Sequence, residues 1–357
     1  MSYCHKCGAK LSDDARFCPV CGTPVTSPVA TAPQTAPIRQ PLRKAPFPLA
    51  AIALIAILVL AVVAAIVVLL PFQPVEFNQQ NDASAANVNS LYFDLEADTA
   101  DINVHFKHLP ANQRVQLNTS ATGWKNILGT DQPVNLTFQE NAANSSLIYI
   151  VKVSRTEGRS MVHNVDVICD VYIDPSIRLD LNLRTSTGRI EIDADKAVTI
   201  SKLFVEATTG NVNVTLSEGV IVSGPLSLRT ITGSNWLLWN NADVSRNANV
   251  NVGSLTGNAY VNITQGKQLS GNVTVNVENS NAGFITLRLA VRDDVAARIL
   301  ATQNIGGVYL QQKGFSGNEL PIQSSNYPAQ NNFIVDLQGS QGGTEINAVY
   351  ELTGVRS

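Results

Sequence analysis

The pattern of apolar and polar positions changes character twice along this chain of 357 residues. The first 48 residues hold no sustained period. From Leu49 to Leu70 every residue is apolar, LAAIALIAILVLAVVAAIVVLL, between Pro48 and Pro71, and no charge occurs from Ala45 to Val75. From about Asn87 onwards apolar and polar residues alternate, as in Leu179-x-Leu181-x-Leu183, Val273-x-Val275-x-Val277 and Ile285-x-Leu287-x-Leu289. Period two is the mark of strands with one face buried, and Asn, Thr, Ser and Gly punctuate them.

The apolar run is long enough, at about 1.5 Å per helical residue, to cross a hydrocarbon core of roughly 30 Å. A helix is the one single-segment structure whose backbone amides satisfy each other in lipid. A soluble helix keeps a polar face, and this one has none. Residues 47–71 are therefore expected to be a transmembrane helix. Arg39, Arg43 and Lys44 precede it, and no Lys or Arg follows until Lys107. The positive-inside rule puts the N-terminus in the cytoplasm and the C-terminal body outside, in a single-pass protein of the cell membrane.

Within the strand region a unit of about 23 residues recurs. Thr-Gly appears in TSTGRIEI, ATTGNVNV, TITGSNWLL and SLTGNAYVNI, with Gly188, Gly210, Gly233 and Gly257 spaced by 22, 23 and 24. Seven and five residues before each glycine stand apolar pairs, Leu181/Leu183, Leu203/Val205, Leu226/Leu228 and Val250/Val252. Gly306 repeats the frame, and Gly123 and Gly283 fit it shifted by one. Each unit reads as strand, Thr-Gly turn, strand, with an apolar face that a neighbouring unit buries. The expected architecture for residues 91–357 is a β-solenoid-like repeat domain. An antiparallel β-sandwich is the alternative, since hairpins also need glycine. The polar segment 72–90 reads as a stalk. Residues 26–46, with prolines at 28, 33, 37, 41 and 46, read as an extended linker.

Candidate chemistry is concentrated at the start. Residues 1–25 carry Cys4-x-x-Cys7 and Cys18-x-x-Cys21. Each pair sets two thiolates on one side of a tight turn, and two such turns make a tetrahedral S₄ site for one structural zinc. A disulfide pair or a redox CxxC are the competing readings in a reducing compartment, without a surrounding βαβ pattern. His5 is expected to stand outside the shell. The stretch CHKCGAKLSDDARFCPVCGTPV resembles the small zinc-ribbon domains at the N-termini of many prokaryotic membrane proteins. That resemblance implies a protein partner docking at the ribbon. Nucleic acid is not expected there: Asp13 and Asp14 partly offset Lys6, Lys10 and Arg16.

Charge sharpens the division. The 48 residues before the helix hold six Lys/Arg against two Asp, a net of +4, and the rest holds 19 Lys/Arg against 26 Asp/Glu, a net of −7. A mildly acidic body with one cysteine, Cys169, has neither a basic face for nucleic acid nor an internal disulfide. Cys169 reads as a small buried apolar residue. No G-x-S-x-G, H-E-x-x-H, P-loop or G-x-G-x-x-G occurs. His105 and His108, three apart, face opposite sides of a strand, and Asp193/Asp195 read as a solvated edge more readily than as a carboxylate pair. Asp293/Asp294 read as a turn. Trp236, Trp239 and Tyr260 read as core filling more readily than as a sugar-stacking surface. Six Asn-x-Ser/Thr sequons, at Asn118, Asn135, Asn144, Asn213, Asn262 and Asn272, all lie in the body.

STGRIEI, TTGNVNV and LTGNAYVNI are similar to the repeats of the prokaryotic putative-adhesin β-domain family. The resemblance implies a β-repeat fold over about Leu91 to Tyr350. Arg189, Asn211 and Asn258 stand after the glycine where that family carries Asp, which argues against a calcium-binding turn. The expected function is a non-catalytic surface protein whose body makes adhesive or envelope contacts. A transmembrane sensor or scaffold, whose ribbon recruits a cytoplasmic partner, is the alternative, and an envelope polysaccharide-active enzyme is the remote one.

Overall fold

The computed structural model describes residues 2–25, 49–69, 73–125, 132–156 and 162–351. The linker expected over 26–46 lies outside the described residues. The chain falls into two compact units, divided within the helix after Val63. The first holds two short paired strands, β1 (Ser2–Tyr3) and β2 (Lys10–Leu11), around a small core of Cys4, Leu11 and Cys18.

Helix α1, Leu49–Leu69, forms where the apolar run predicts it. Side chains are described over residues 52–65, and among residues so described no helix is long and apolar enough to cross a membrane. Ile52, Leu54, Ile55, Ile57, Leu58, Val59, Leu60, Val62 and Val63 are all about half or more exposed. Consecutive positions point to every side of a helix, so no face of this stretch is packed.

The second unit is mainly β. Its N-terminal part comprises β3 (Gln73–Ser84), β4 (Ser90–Thr99), β5 (Asp101–Phe106), β6 (Gln113–Lys125), β7 (Val134–Ala143), β8 (Ser146–Arg155) and β9 (Val162–Ile173). The repeat comprises β10 (Arg178–Thr187), β11 (Ile190–Ala194), β12 (Thr199–Thr209), β13 (Val212–Leu216), β14 (Ile221–Val222), β15 (Leu226–Thr232), β16 (Asn235–Asn240), β17 (Asp243–Val244), β18 (Ala248–Thr256), β19 (Ala259–Gln265) and β20 (Val273–Arg292). The C-terminal part comprises β21 (Ala296–Ile305), β22 (Val308–Lys313), β23 (Ile322–Gln323) and β24 (Asn332–Glu351).

Strands of the repeat pair in parallel with their counterparts one unit away. One ladder runs β10–β12–β15–β18–β20 and a second β11–β13–β16–β19–β20, joined by a Thr-Gly turn at each rung before β20. The antiparallel sandwich is thus not what forms in this region. In the first ladder Phe93, Leu181, Leu203, Leu226, Val250, Val275 and Val335 stand in one register row, all buried. Each such side chain contributes about 1.5–3 kcal/mol when taken from water, so the row is a continuous strip of core. Beneath the turns the row turns polar: Thr230 Oγ1 and Ser254 Oγ both donate to the Gly233 carbonyl at 3.1 Å, and the Asn279 amide donates to the Gly257 carbonyl at 2.6 Å.

The stack is not left as the open-ended solenoid expected from the repeat. Its 22 strands join into one continuous, nearly closed, barrel-like sheet. β20 and β24 run unbroken from one ladder into the other and so connect them. The rungs at both ends are also out of chain order. β24 lies between β20 and β21, and β4 lies between β8 and β10. Antiparallel strands cover the start, with β3 on β6, β6 on β9 and β7 on β8. Unpaired edges and half-open apolar rungs are costly, and these additions cover them. The segment expected to be a stalk is corrected accordingly: residues 73–84 are a twelve-residue strand hydrogen-bonded along β6. Gly123 belongs to that antiparallel pair and not to a Thr-Gly turn.

Trp239 is the largest fully buried side chain. Its indole N–H donates to Gln265 Oε1 at 2.9 Å, and its ring meets Phe333 edge-on at 5.7 Å. Trp239→Ala is expected to cost about 3–5 kcal/mol through the cavity it leaves. Trp239→Phe should cost about 1–3 kcal/mol because buried Gln265 loses its donor. Urea unfolding midpoints of the two variants check the order.

Candidate metal centre

The two CxxC turns fold as mirror knuckles. The Gly8 amide donates to the Cys4 carbonyl at 2.9 Å and the Gly22 amide to the Cys18 carbonyl at 2.8 Å, each glycine being left-handed, at φ 73° and 67°. Only a residue without a Cβ penalty takes that conformation freely. Further backbone bonds close each knuckle, Cys4 to Ala9 in the first and Cys18 to Thr23 and Val25 to Arg16 in the second.

The four sulfurs converge. All lie within 4.8 Å of one another, with Cys4 Sγ 3.7 Å from Cys21 Sγ and Cys7 Sγ 3.6 Å from Cys18 Sγ. Four thiolates at about 2.3 Å from a tetrahedral zinc stand about 3.8 Å apart, so the donor set fits this ion. Disulfide bonds, at about 2.05 Å between sulfurs, are absent from these four cysteines. Cys4 and Cys18 are buried, and Cys7 and Cys21 are exposed.

Residues 3–25 match the zinc-ribbon domain family. The ribbon is thus a zinc-ribbon domain whose four cysteines cluster closely enough to hold one structural metal ion. Two of its thiols, Cys4 and Cys21, are already biased towards the thiolate. The Lys6 and Cys7 amides hold the Cys4 thiol below its usual range, and the Thr23 hydroxyl and amide pull Cys21 down to about 6. Cys7 is favoured as thiolate by the Ala9 amide, yet the crowd of neighbouring thiols, Cys21 first, pushes it up to about 12. Four thiolates cannot all ionise at this spacing alone, and a divalent cation among them reverses that balance.

No curated protein matches the chain. Among solved structures, a putative cell adhesion protein of Clostridium sporogenes is 14% identical, with a TM-score of 0.35, covering 77% of this chain and 100% of that chain. A putative adhesin of Bacteroides fragilis is 13% identical, with a TM-score of 0.34, covering 76% and 97%. A likeness at that level carries nothing about what this chain does.

The other residues singled out in the sequence form no common site, although His105 meets Asp193 and Trp236 meets Tyr260 on adjoining strands. His105 lies on the outer face of β5, with its ring stacked on Tyr172 at 5.5 Å and Asp193 beside it in register. His108 lies beyond the strand end. Asp193 and Asp195 are exposed, Asp195 ion-paired to Lys196 at 3.3 Å, and Asp293 and Asp294 form a turn. Cys169 is fully buried, and burial pushes its thiol up to about 12. Among the described residues the cysteine cluster is the one group of potential metal ligands. Trp236, unlike Trp239, faces outward and stacks on Tyr260 at 5.0 Å and 13°. Rings that close and parallel cover one another's faces, leaving edges for solvent. The pair makes a poor platform for a sugar.

The outward rows carry a pattern of their own. Lys152, Glu96, Arg184, Glu206 and Arg229 stand side by side on successive strands of the first ladder, alternating in sign. Lys152 reaches Glu96 at 3.1 Å and Arg229 reaches Glu206 at 3.5 Å. Another row links Asp94 with Asn182 at 2.9 Å, and Asn276 with Asn251 at 2.9 Å. Within the repeat these partners stand about 23 positions apart in the sequence, visible once the unit is laid in register.

Proposed function

We propose that this is a single-pass protein anchored by α1 in the cell membrane, ribbon in the cytoplasm and β body outside, whose body makes adhesive or envelope contacts without catalysis. In it Cys4, Cys7, Cys18 and Cys21 hold one structural zinc. The observation that carries the contact reading is the outer surface of the ladders: polar and charged side chains standing in register on successive rungs of a stack. Such extended faces suit long, repetitive partners better than small substrates. The anchor reading rests on the 22-residue apolar run and on the exposure of every side of α1 between Ile52 and Val63. Lipid is the solvent in which such a surface costs nothing.

The experiment is binding of the full chain, in detergent micelles, to intact cells and to isolated envelope polysaccharide. Saturable binding is the expected result, and a folded protein that binds neither ends the adhesive reading. The sensor or scaffold reading draws on one further observation: Tyr3, Phe17 and Val20 are 62%, 64% and 72% exposed on the ribbon, an apolar surface fit for a protein partner. Deleting residues 1–25 separates the two. Unchanged surface binding with no other phenotype leaves the ribbon without a signalling role.

A further inference from the structure

One groove on the body departs from its surroundings. On the outer face of the first ladder the pairing of β10 with β12 slips, Leu179 opposite Ile200 but Asp180 opposite Lys202, so Ser201 is an extra residue. A bulge of this kind re-aims side chains. It borders an open groove of about 570 Å³, lined among others by Ser90, Ser146, Ser201, Arg178, Asp180 and, from the loop before β18, Arg246. That volume falls in the range of small-ligand sites.

Its charge is uncompensated. Elsewhere on this acidic body several basic side chains meet a carboxylate, as in Lys152–Glu96, Arg189–Asp101, Lys196–Asp195, Arg229–Glu206 and Lys267–Glu218. The side chains of Arg178 and Arg246 form no ion pair and no hydrogen bond with any described residue. Lys202 adds a third cation at the rim. The one carboxylate of the lining, Asp180, has its Oδ1 shielded from water with no hydrogen-bond partner. Burial, against the pull of Lys202, moves that group towards its neutral form. Two free guanidinium groups, beside the Ser90–Ser146 hydroxyl pair at 2.5 Å and Ser201, which accepts from Ser223 at 3.4 Å, describe a site for anionic groups carried on a hydroxyl-rich backbone. Guanidinium forks bind planar oxyanions with two parallel hydrogen bonds. Serine hydroxyls complete the oxyanion shell, and the shielding of Asp180 keeps its carboxylate from repelling the anion.

We propose that this groove binds the carboxylate or sulfate groups of an acidic polysaccharide, Arg178 and Arg246 each holding an anion. The inference deepens the contact reading above and rests on it.

The test is calorimetry of the full chain in detergent micelles against oligogalacturonate, dextran sulfate and neutral dextran. Binding to one or both anionic polymers, weakening as salt rises, and none to dextran are expected. Preference between the two anionic polymers tells carboxylate from sulfate. The double variant Arg178→Gln/Arg246→Gln should lose at least tenfold in affinity with an unchanged melting curve, both side chains being exposed. Arg288→Gln, equally exposed and unpaired but on the second ladder, should change affinity less than twofold. An equal loss in Arg288→Gln would reduce the effect to overall charge and overturn the site. Absence of binding to both anionic polymers overturns it too. In either case whole-cell binding by the same double variant still decides the wider reading: retained binding leaves adhesion standing with a different surface.

Discussion

Gly233→Ala should unfold the β body or lower its melting temperature by about 8–16 °C, an expected cost near 4 kcal/mol or more for a domain of this size. Two effects add. Gly233 sits at φ +144°, a conformation that costs other residues about 1–3 kcal/mol. Its added Cβ would stand 1.7 Å from the carbonyl oxygen and 2.6 Å from the carbonyl carbon of Gly210, one rung away. That neighbour is backbone inside a hydrogen-bonded ladder, so it cannot swing aside, and relief requires prising two rungs apart. Gly253→Ala is the control. Nothing lies within 4 Å of its added Cβ and its backbone is not left-handed, so the change should stay within about 0.5 kcal/mol. Thermal melts followed by circular dichroism compare the two. Equal behaviour would show that the Thr-Gly turns are not what spaces the rungs.

Removal of zinc should have the other large effect, confined to the ribbon. The ribbon's core is Cys4, Leu11 and Cys18, with Ala9 and Val25 against it. Burial of one leucine supplies only about 1.5–3 kcal/mol. Structural zinc contributes about 10–16 kcal/mol in peptides of this kind at pH 7. Metal binding thus outweighs the ribbon's own core in holding it folded. The purified chain should carry one zinc by elemental mass spectrometry, and Cys18→Ser should carry none. After chelation, residues 2–25 should lose protection from proteolysis, while the β spectrum and melting of the second unit stay the same. A ribbon that stays protected without metal would show that its backbone bonds suffice.

Much of this structure is written in its residues, because the strongest signals are local. The CxxC spacing with its glycines puts four sulfurs together without help from the rest of the chain. The Thr-Gly spacing gives the register, since Gly188, Gly210, Gly233 and Gly257 stack on one another in chain order. What the spacing does not encode is which rung a distant strand joins. Gly306 follows Gly283 by one repeat length, yet Gly342 lies between them in space. An inserted strand satisfies the same hydrogen bonds and the same apolar row, so sequence separation does not distinguish the two arrangements. Strand β3 was hidden for a related reason: paired on one side only, it buries Val75 and Ala83 and leaves its remaining residues polar enough to read as a stalk. The Arg178–Arg246 groove was hidden because its parts come from rungs far apart in the chain.

The order of the middle rungs has a consequence for how such a chain changes over generations. Between β10 and β19 each strand pairs only with its counterparts in the adjoining units. Gain or loss of one whole unit of 22 to 24 residues keeps the pairing pattern of the remaining rungs and changes each ladder by one inter-strand step, about 4.8 Å. Copy number in the gene thereby becomes a ruler for how much patterned surface the ladders present, adjustable without redesigning a single core contact.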